Sequence, residues 1–367
     1  MSKPIRSQAP EKSIALSIVR RNLGHPTSRL LLVALVAIAI TGFTVGFAEW
    51  SGSRVVSPEE YEMAVASEDS SGDALVMEDS LQAPVALARA GDEGTVHPLR
   101  IMTMNIRHGA VPGGDVDLSQ VADYIKSFDP DVVFLQEVDK NLPRSGRQDQ
   151  AQVLAGLLGF EMAYGPNLRT KGGYYGNAIL SRFPISEVEN THLPSLGEPR
   201  GMLSATIVTT FDGGTRIRVA TTHLGLVSFE KRRQVQALNR ELLNYMAQDS
   251  READSGSGPP RGKTLIILAG DFNAVLTGSD VAALRTHLHN AAECADEIIG
   301  PDFSFRMVNG KGVLIDQVWL SKAIAVRRFE IPETTPSDHW PLILDLDLGD
   351  GSRGAEDGPA INGTPER

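Results

Sequence analysis

Cysteine occurs once, at Cys294, so the chain can hold neither an internal disulfide nor a multi-cysteine zinc site. No thiol-enzyme signature surrounds it, and within Ala292-Glu293-Cys294-Ala295 it reads as a small buried hydrophobe. Excess positive charge is lacking too. The formal net charge is −11, and between His97 and Gly349 about 25 basic side chains stand against about 30 acidic ones. A polyanion would have to be met by a local basic surface against the overall field, so a nucleic-acid partner is admitted but not favoured. No internal repeat is apparent. Long apolar runs are missing as well, with one exception.

That exception, Leu30 to Ala48, is about 19 uncharged residues, enough at helical rise to cross a hydrocarbon core. Lys3, Arg6, Lys12, Arg20, Arg21 and Arg29 precede it, and Glu49 and an acidic stretch follow. The positive-inside tendency then makes residues 1–29 a basic cytoplasmic tail and 30–48 a transmembrane helix or signal anchor. The body is expected outside the cell membrane, periplasmic or extracellular. The competing reading is a signal peptide cleaved near Gly46-Phe47-Ala48, leaving a secreted form, and Arg20-Arg21 also fits twin-arginine export. Residues 49–97 read as a flexible acidic linker, 98–349 as the folded domain, and 350–367 as a disordered tail with little to bury. Ser250 to Gly262 reads as a mobile surface loop.

Between 98 and 349 short apolar runs alternate with helical patterns. Strands are expected at Leu99–Asn105, Val132–Gln136, Asn177–Ser181, Leu203–Thr210, Arg216–His223, Leu265–Leu268, Val313–Leu320, Val326–Ile331 and Leu342–Leu346. Helices are expected near Leu118–Phe128, Gln148–Leu158 and Glu230–Ala247. Asp212-Gly213-Gly214 joins two of the strands as a hairpin turn. The class is α/β, a sandwich of two mixed sheets flanked by helices.

Polar residues gather where these strands end, where side chains can converge on rigid backbones. Asn105 closes Thr103-Met104-Asn105-Ile106-Arg107, and Val132-Val133-Phe134-Leu135 ends abruptly in Gln136-Glu137, a carboxylate suited to a hard cation. In Leu268-Ala269-Gly270-Asp271-Phe272-Asn273 a carboxylate and an amide two residues apart can address one water or phosphate oxygen, an Asx-turn being the plainer alternative. His339 in Ser337-Asp338-His339-Trp340-Pro341 has Asp338 beside it and Asp316 as a second carboxylate partner, an orienter-and-base arrangement. His223 ends another strand. His287 and His289 are placed on a polar helix without chemistry, His25 and His97 lie outside the domain, and His108 and His192 are left as candidates bordering a cleft.

In order along the chain, Asn105, Gln136-Glu137, Gly176-Asn177-Ala178-Ile179-Leu180-Ser181-Arg182, His223, Gly270-Asp271-Phe272-Asn273, Asp316 and Ser337-Asp338-His339 resemble the motif series of the endonuclease/exonuclease/phosphatase superfamily. Glu198-Pro199-Arg200-Gly201 and Thr222-His223-Leu224-Gly225-Leu226, followed by Glu230-Lys231-Arg232-Arg233-Gln234, are similar to its bacterial branch with sphingomyelinase-like and lipid-remodelling members. The resemblance implies a four-layered, DNase I-like α/β sandwich and a phosphoesterase using magnesium, with manganese as a substitute. It makes Glu137 the principal metal ligand, with Asn105 and Asp338 beside it. His339 is the implied base, Asp316 its orienter, Asp271 and Asn273 the groups placing water and phosphate oxygen, and His223 a stabiliser or proton donor. Arg200, Arg107 and Asn177 are the expected substrate contacts, and Tyr174 and Tyr175 the pocket-shaping residues of a Gly-rich loop.

The expected activity is hydrolysis of a phosphomonoester or phosphodiester by activated water, with lipid head groups in reach of an anchored domain. An extracytoplasmic nuclease is the alternative, and a silent binding module on the same scaffold the third reading. No obligate protein partner is implied. If 30–48 is a retained anchor, alkaline carbonate should leave the full chain in the membrane pellet and release a variant lacking residues 1–48; full release of the intact chain would exclude retention.

Overall fold

The computed structural model of the 367-residue chain describes residues 54–55, 98–210, 214–254, 264–307, 309–333 and 336–348. The expected tail, membrane segment and C-terminal tail lie outside these residues, as do most of the expected linker and the Ser255–Gly262 part of the loop. Among the described residues no helix is long and apolar enough to cross a membrane.

In chain order the elements are β1 (Arg54–Val55), β2 (Leu99–Asn105), α1 (Leu118–Phe128), β3 (Val132–Lys140), α2 (Gln150–Leu158), β4 (Glu161–Thr170), β5 (Gly173–Ser181), β6 (Ile185–Leu193), β7 (Arg200–Val208) and β8 (Arg216–His223). Then follow α3 (Ser228–Asp254), β9 (Leu265–Asp271), β10 (Leu288–Asn290), α4 (Ala291–Cys294), β11 (Ala295–Ile299), β12 (Phe305–Arg306), β13 (Gly312–Val313), β14 (Asp316–Ser321), β15 (Ala325–Glu330) and β16 (Leu342–Asp347). One sheet has the order β1-β4-β5-β3-β2-β16-β15-β11 and the other β10-β14-β9-β8-β7-β6. Both are mixed, since β2 runs parallel to β3, β8 to β9 and β11 to β15. This is the expected sandwich.

Alternation along the strands builds the layers. Leu99 and Ile101, Val132 and Phe134, Ile217 and Val219, Ile267 and Ala269, Val318 and Leu320 share the core between the sheets. The intervening Met102, Met104, Val133 and Leu135 face α1 and α2, which return Val121, Ile125 and Leu154. Ile266, Leu268 and Trp319 face α3 through Val235, Leu238 and Leu242. Each fully buried aliphatic side chain contributes about 2 kcal/mol. Asp117 caps α1 by accepting from Gln120 N, Asp149 caps α2 by accepting from Gln152 N, and Gly159 ends α2 in the left-handed region.

Several expectations are corrected. Cys294 is exposed, not buried: α4 is a single turn whose buried side is Ala291, leaving the thiol on the outer side to donate to Asn290 O. His289 lies on strand β10, paired with Leu320, rather than on a helix. Tyr174 and Tyr175 lie within β5, because Gly173 and Gly176 admit tight strand pairing there instead of breaking it. The long helix continues to Asp254, into the segment read as loop, and Arg54–Val55 of the expected linker pair with β4.

Gly270 is where packing leaves no choice of residue. Its φ is +148°, and a Cβ there would sit 2.0 Å from the Thr222 carbonyl oxygen of the parallel neighbour. Gly270→Ala should lower stability by about 3 kcal/mol, measured by denaturant unfolding; an unchanged midpoint would contradict the close approach.

Candidate active site

The inward face of each central strand is apolar at one end and polar at the other. After Leu99 and Ile101 come Thr103 and Asn105, after Ile217 and Val219 come Thr221 and His223, and after Ile267 and Ala269 comes Asp271. The antiparallel β14 enters at the same end, with Asp316 in register with Asp271, which is also in register with His223. Beneath them Gln136 Nε2 donates to Thr103 Oγ1 at 3.2 Å and Thr221 Oγ1 at 2.9 Å, a polar floor joining the two sheets.

Glu137 should point to the outer face by alternation. A bulge between Leu135 and Val138 and a left-handed φ of +60° at Glu137 turn it inward instead. There Glu137 Oε1 accepts from Asn105 Nδ2 at 2.9 Å. Burial raises the Glu137 pKa, opposed by the Asn105 hydrogen bond and by His339 and Arg200.

Asp271 is the hub. Its Oδ2 accepts from Asn105 Nδ2 at 3.2 Å and lies 3.4 Å from His223 Nε2 and 3.8 Å from His339 Nε2. Its Oδ1 accepts the Asn273 backbone N–H at 2.9 Å, while the Asn273 side chain donates to Leu224 O. The Asx-turn is therefore present, and the Asn273 amide nitrogen is used to fix the β8 loop. Burial, then the Asp316 carboxylate, pushes the Asp271 pKa up to about 7.

His339 Nδ1 lies 2.8 Å from Asp316 Oδ2. Burial works against its charge, but Asp316, Asp271 and Asp338 outweigh it and hold the imidazole up at about 10. Backbone ties set the pair in place: Ser337 Oγ donates to Asn105 O at 2.6 Å and accepts from His339 N, and Ser304 Oγ accepts from Asp316 N. His223 behaves oppositely. Burial, then Arg200 and His339, drives its pKa well below the ordinary range, so it is a neutral ring, and its Nδ1 is buried without a partner.

Arg200, Glu198 and Tyr175 complete this pocket. Arg200 is buried, pairs with Glu198 at 3.0 Å and keeps an unpartnered buried Nε. Glu137 and Asp271 both act on its charge. Arg107 and Asp338 are exposed at 51% and 45% and face each other at 3.7 Å. Asn177 is buried and donates to Gly201 O, so it fixes the backbone beside Arg200. Arg144, not singled out by the sequence, is held bidentate on buried Asp139 and lies 5.3 Å from the Tyr175 ring. It falls in the loop after β3, and only the fold brings that loop to β5.

The donor set fits a hard cation. Glu137 is a partly buried carboxylate whose one protein hydrogen bond leaves oxygen lone pairs free. Asn105 turns its nitrogen to Glu137, its oxygen accepting from Arg107 N at 3.0 Å. Asp271, Asp316 and His339 also offer ligand-type atoms within 4.8 Å of one another. Their internal hydrogen bond makes that trio a proton-handling array first.

A model of the Endonuclease/Exonuclease/phosphatase family matches residues 102–339. The chain belongs to this family. Within the endonuclease/exonuclease/phosphatase family it is similar to the uncharacterized protein YbhP of Escherichia coli K12, 27% identical over 276 residues covering 70% of this chain and 99% of that one. Its fold is similar to the Bacteroides thetaiotaomicron mannosyl-6-phosphatase Bt3783 (20% identity, TM-score 0.52, 68% of this chain and 99% of that one). It is also similar to the human Nocturnin catalytic domain with bound sulfate anion (22% identity, TM-score 0.52, 68% and 93%).

The Asp316–His339 pair sets a pH dependence of stability. The folded-state pKa of His339, about 10, lies above its ordinary 6.5. Its contribution is therefore full below 6.5 and is lost as pH rises toward 10. Chelator-treated protein should lose stability over that window, and Asp316→Asn should flatten the slope in urea unfolding; an unaltered slope would dissociate the pair from it.

Proposed function

We propose that this chain is a membrane-anchored, extracytoplasmic, divalent-metal-dependent hydrolase of a phosphomonoester or phosphodiester, with lipid head groups within its reach. Family membership makes it a phosphohydrolase. The observation that supports the hydrolytic chemistry is the Asp316–His339–Asp271 array beside an arginine with an unpartnered buried nitrogen. The anchored, extracytoplasmic part of the reading is argued from the apolar run at 30–48 and its flanking charges.

The chemistry follows from these groups. Asp316 holds His339 by Nδ1 and fixes its tautomer, leaving Nε2 toward Asp271. The 3.8 Å between Nε2 and Asp271 Oδ2 lets one water oxygen bond to both. As that oxygen attacks phosphorus and the bond to the leaving group breaks, His339 takes the water's proton. Arg200 meets the non-bridging oxygens, and neutral His223 offers a hydrogen bond without competing for charge. Glu137, with the Asn105 and Asp338 that the motif series implies, would hold a magnesium ion, whose chemistry is to neutralise phosphate charge and bring His339 down toward neutral pH.

The purified chain should hydrolyse bis(p-nitrophenyl) phosphate with magnesium and stop with chelator. His339→Ala should cut turnover by about 10²–10⁴-fold with folding intact by circular dichroism. Turnover indifferent to chelator, or near normal without His339, would defeat the reading. A silent module would show none in either condition.

A further inference from the structure

Three loops that carry site residues also carry exposed apolar side chains. Leu196, 69% exposed, precedes Arg200; Leu226, 73% exposed, leads Val227 and Phe229 after His223; exposed Val275 follows Asn273. Ordinary partition is inverted here. At the start of α3 the polar Glu230, Lys231 and Gln234 are buried, while Leu226, Val227 and Phe229 stay in water.

The buried polar groups explain how these loops keep their shape. Glu230 Oε1 accepts from Leu196 N at 3.0 Å, Gln234 Oε1 accepts from Gly225 N at 2.8 Å, and Lys231 Nζ donates to Asn273 O. All three loops are thus tied to one helical turn. The apolar side chains are displayed from a fixed rim of loops that carry Arg200, His223 and Asn273, not from slack chain.

Charge decides what this rim suits. Arg233 lies over the Phe229 ring at 5.6 Å and has no carboxylate partner among the described residues. Exposed Arg232 pairs with Asp280 at 3.3 Å, and the rim's acid, Glu198, is held by Arg200. In a chain of net charge −11 the apolar rim therefore carries a local cation. A guanidinium stacked on an exposed aromatic, among Leu and Val, matches the boundary between acyl chains and anionic head groups. A protein seated on the rim would cover the pocket, whereas a bilayer would bring phosphate to it.

We infer that this rim is an interfacial docking surface that rests the active site on a bilayer containing anionic phospholipid. The inference rests on the phosphoesterase reading for the use of the surface, not for its binding. In a Cys294→Ser background, Leu226→Cys is labelled with an environment-sensitive nitrobenzoxadiazole dye on the full chain. The wild-type chain, labelled at exposed Cys294, is the control. With phosphatidylcholine–phosphatidylglycerol vesicles the label at 226 should shift to the blue and the label at 294 should not. Leu226→Glu with Phe229→Glu should abolish the bilayer contact, read as hydrolysis of vesicle phospholipid falling about tenfold or more. Soluble diester turnover should stay within about twofold. No shift at 226 on anionic vesicles overturns the inference, as does vesicle hydrolysis indifferent to the two glutamates. A shift that grows with protein concentration without lipid overturns it in favour of self-association. Absent soluble turnover would instead count against the phosphoesterase reading, and the fluorescence result would stand on its own.

Discussion

Keeping the Asp271 carboxylate out of water is the constraint around which this site is assembled. A buried carboxylate is costly unless hydrogen bonds or opposite charge replace its hydration. Here the replacements come from four places: the Asn105 amide, the Asn273 backbone, His223, and the charged His339 held between Asp271 and Asp316. Each belongs to a different segment, so the two sheets must close correctly for the charge to be tolerated. Closure then gathers Asn105, Glu137, His223, Asp271, Asp316 and His339 at one end of the two sheets.

Strand alternation is what delivers these groups. The inner face of β2, β8 and β9 changes from aliphatic to polar at the same end, so the register that packs the core also gathers the polar groups. Glu137 is the exception. Its inward turn depends on a bulge and a left-handed backbone, a local strain stabilised by the strands on either side. The same logic extends outward, where Glu230, Lys231 and Gln234 fix the loops that place Arg200, His223 and Asn273 while leaving their apolar tips in water.

Much of this organisation was readable in advance. β2, α1 and β8 fall where periodicity puts them, because each carries a strong one-faced pattern. β4 and β6 do not announce themselves. β4 contains Gly165-Pro166, a turn signal that the fold accommodates at a bulge, and β6 is an edge strand with Ser186, Glu187, Val188 and Glu189 exposed. Cys294 misleads for a related reason: a one-turn helix has too little pattern to say which side faces in.

Sequence by itself determined the alternating layers, the polar strand ends and the identity of Glu137, Asp271, Asp316 and His339 as the groups to watch. Those are local properties, set by side-chain period and by the chemistry of single residues. The motif series already named Asp316 as the partner of His339, and the fold pairs them. Only the tertiary structure decided that Asn177 and Asn273 serve the backbone and that Arg144 reaches Tyr175. Such pairings join residues far apart in the chain, and hydrogen bonds act over about 3 Å of space regardless of sequence distance.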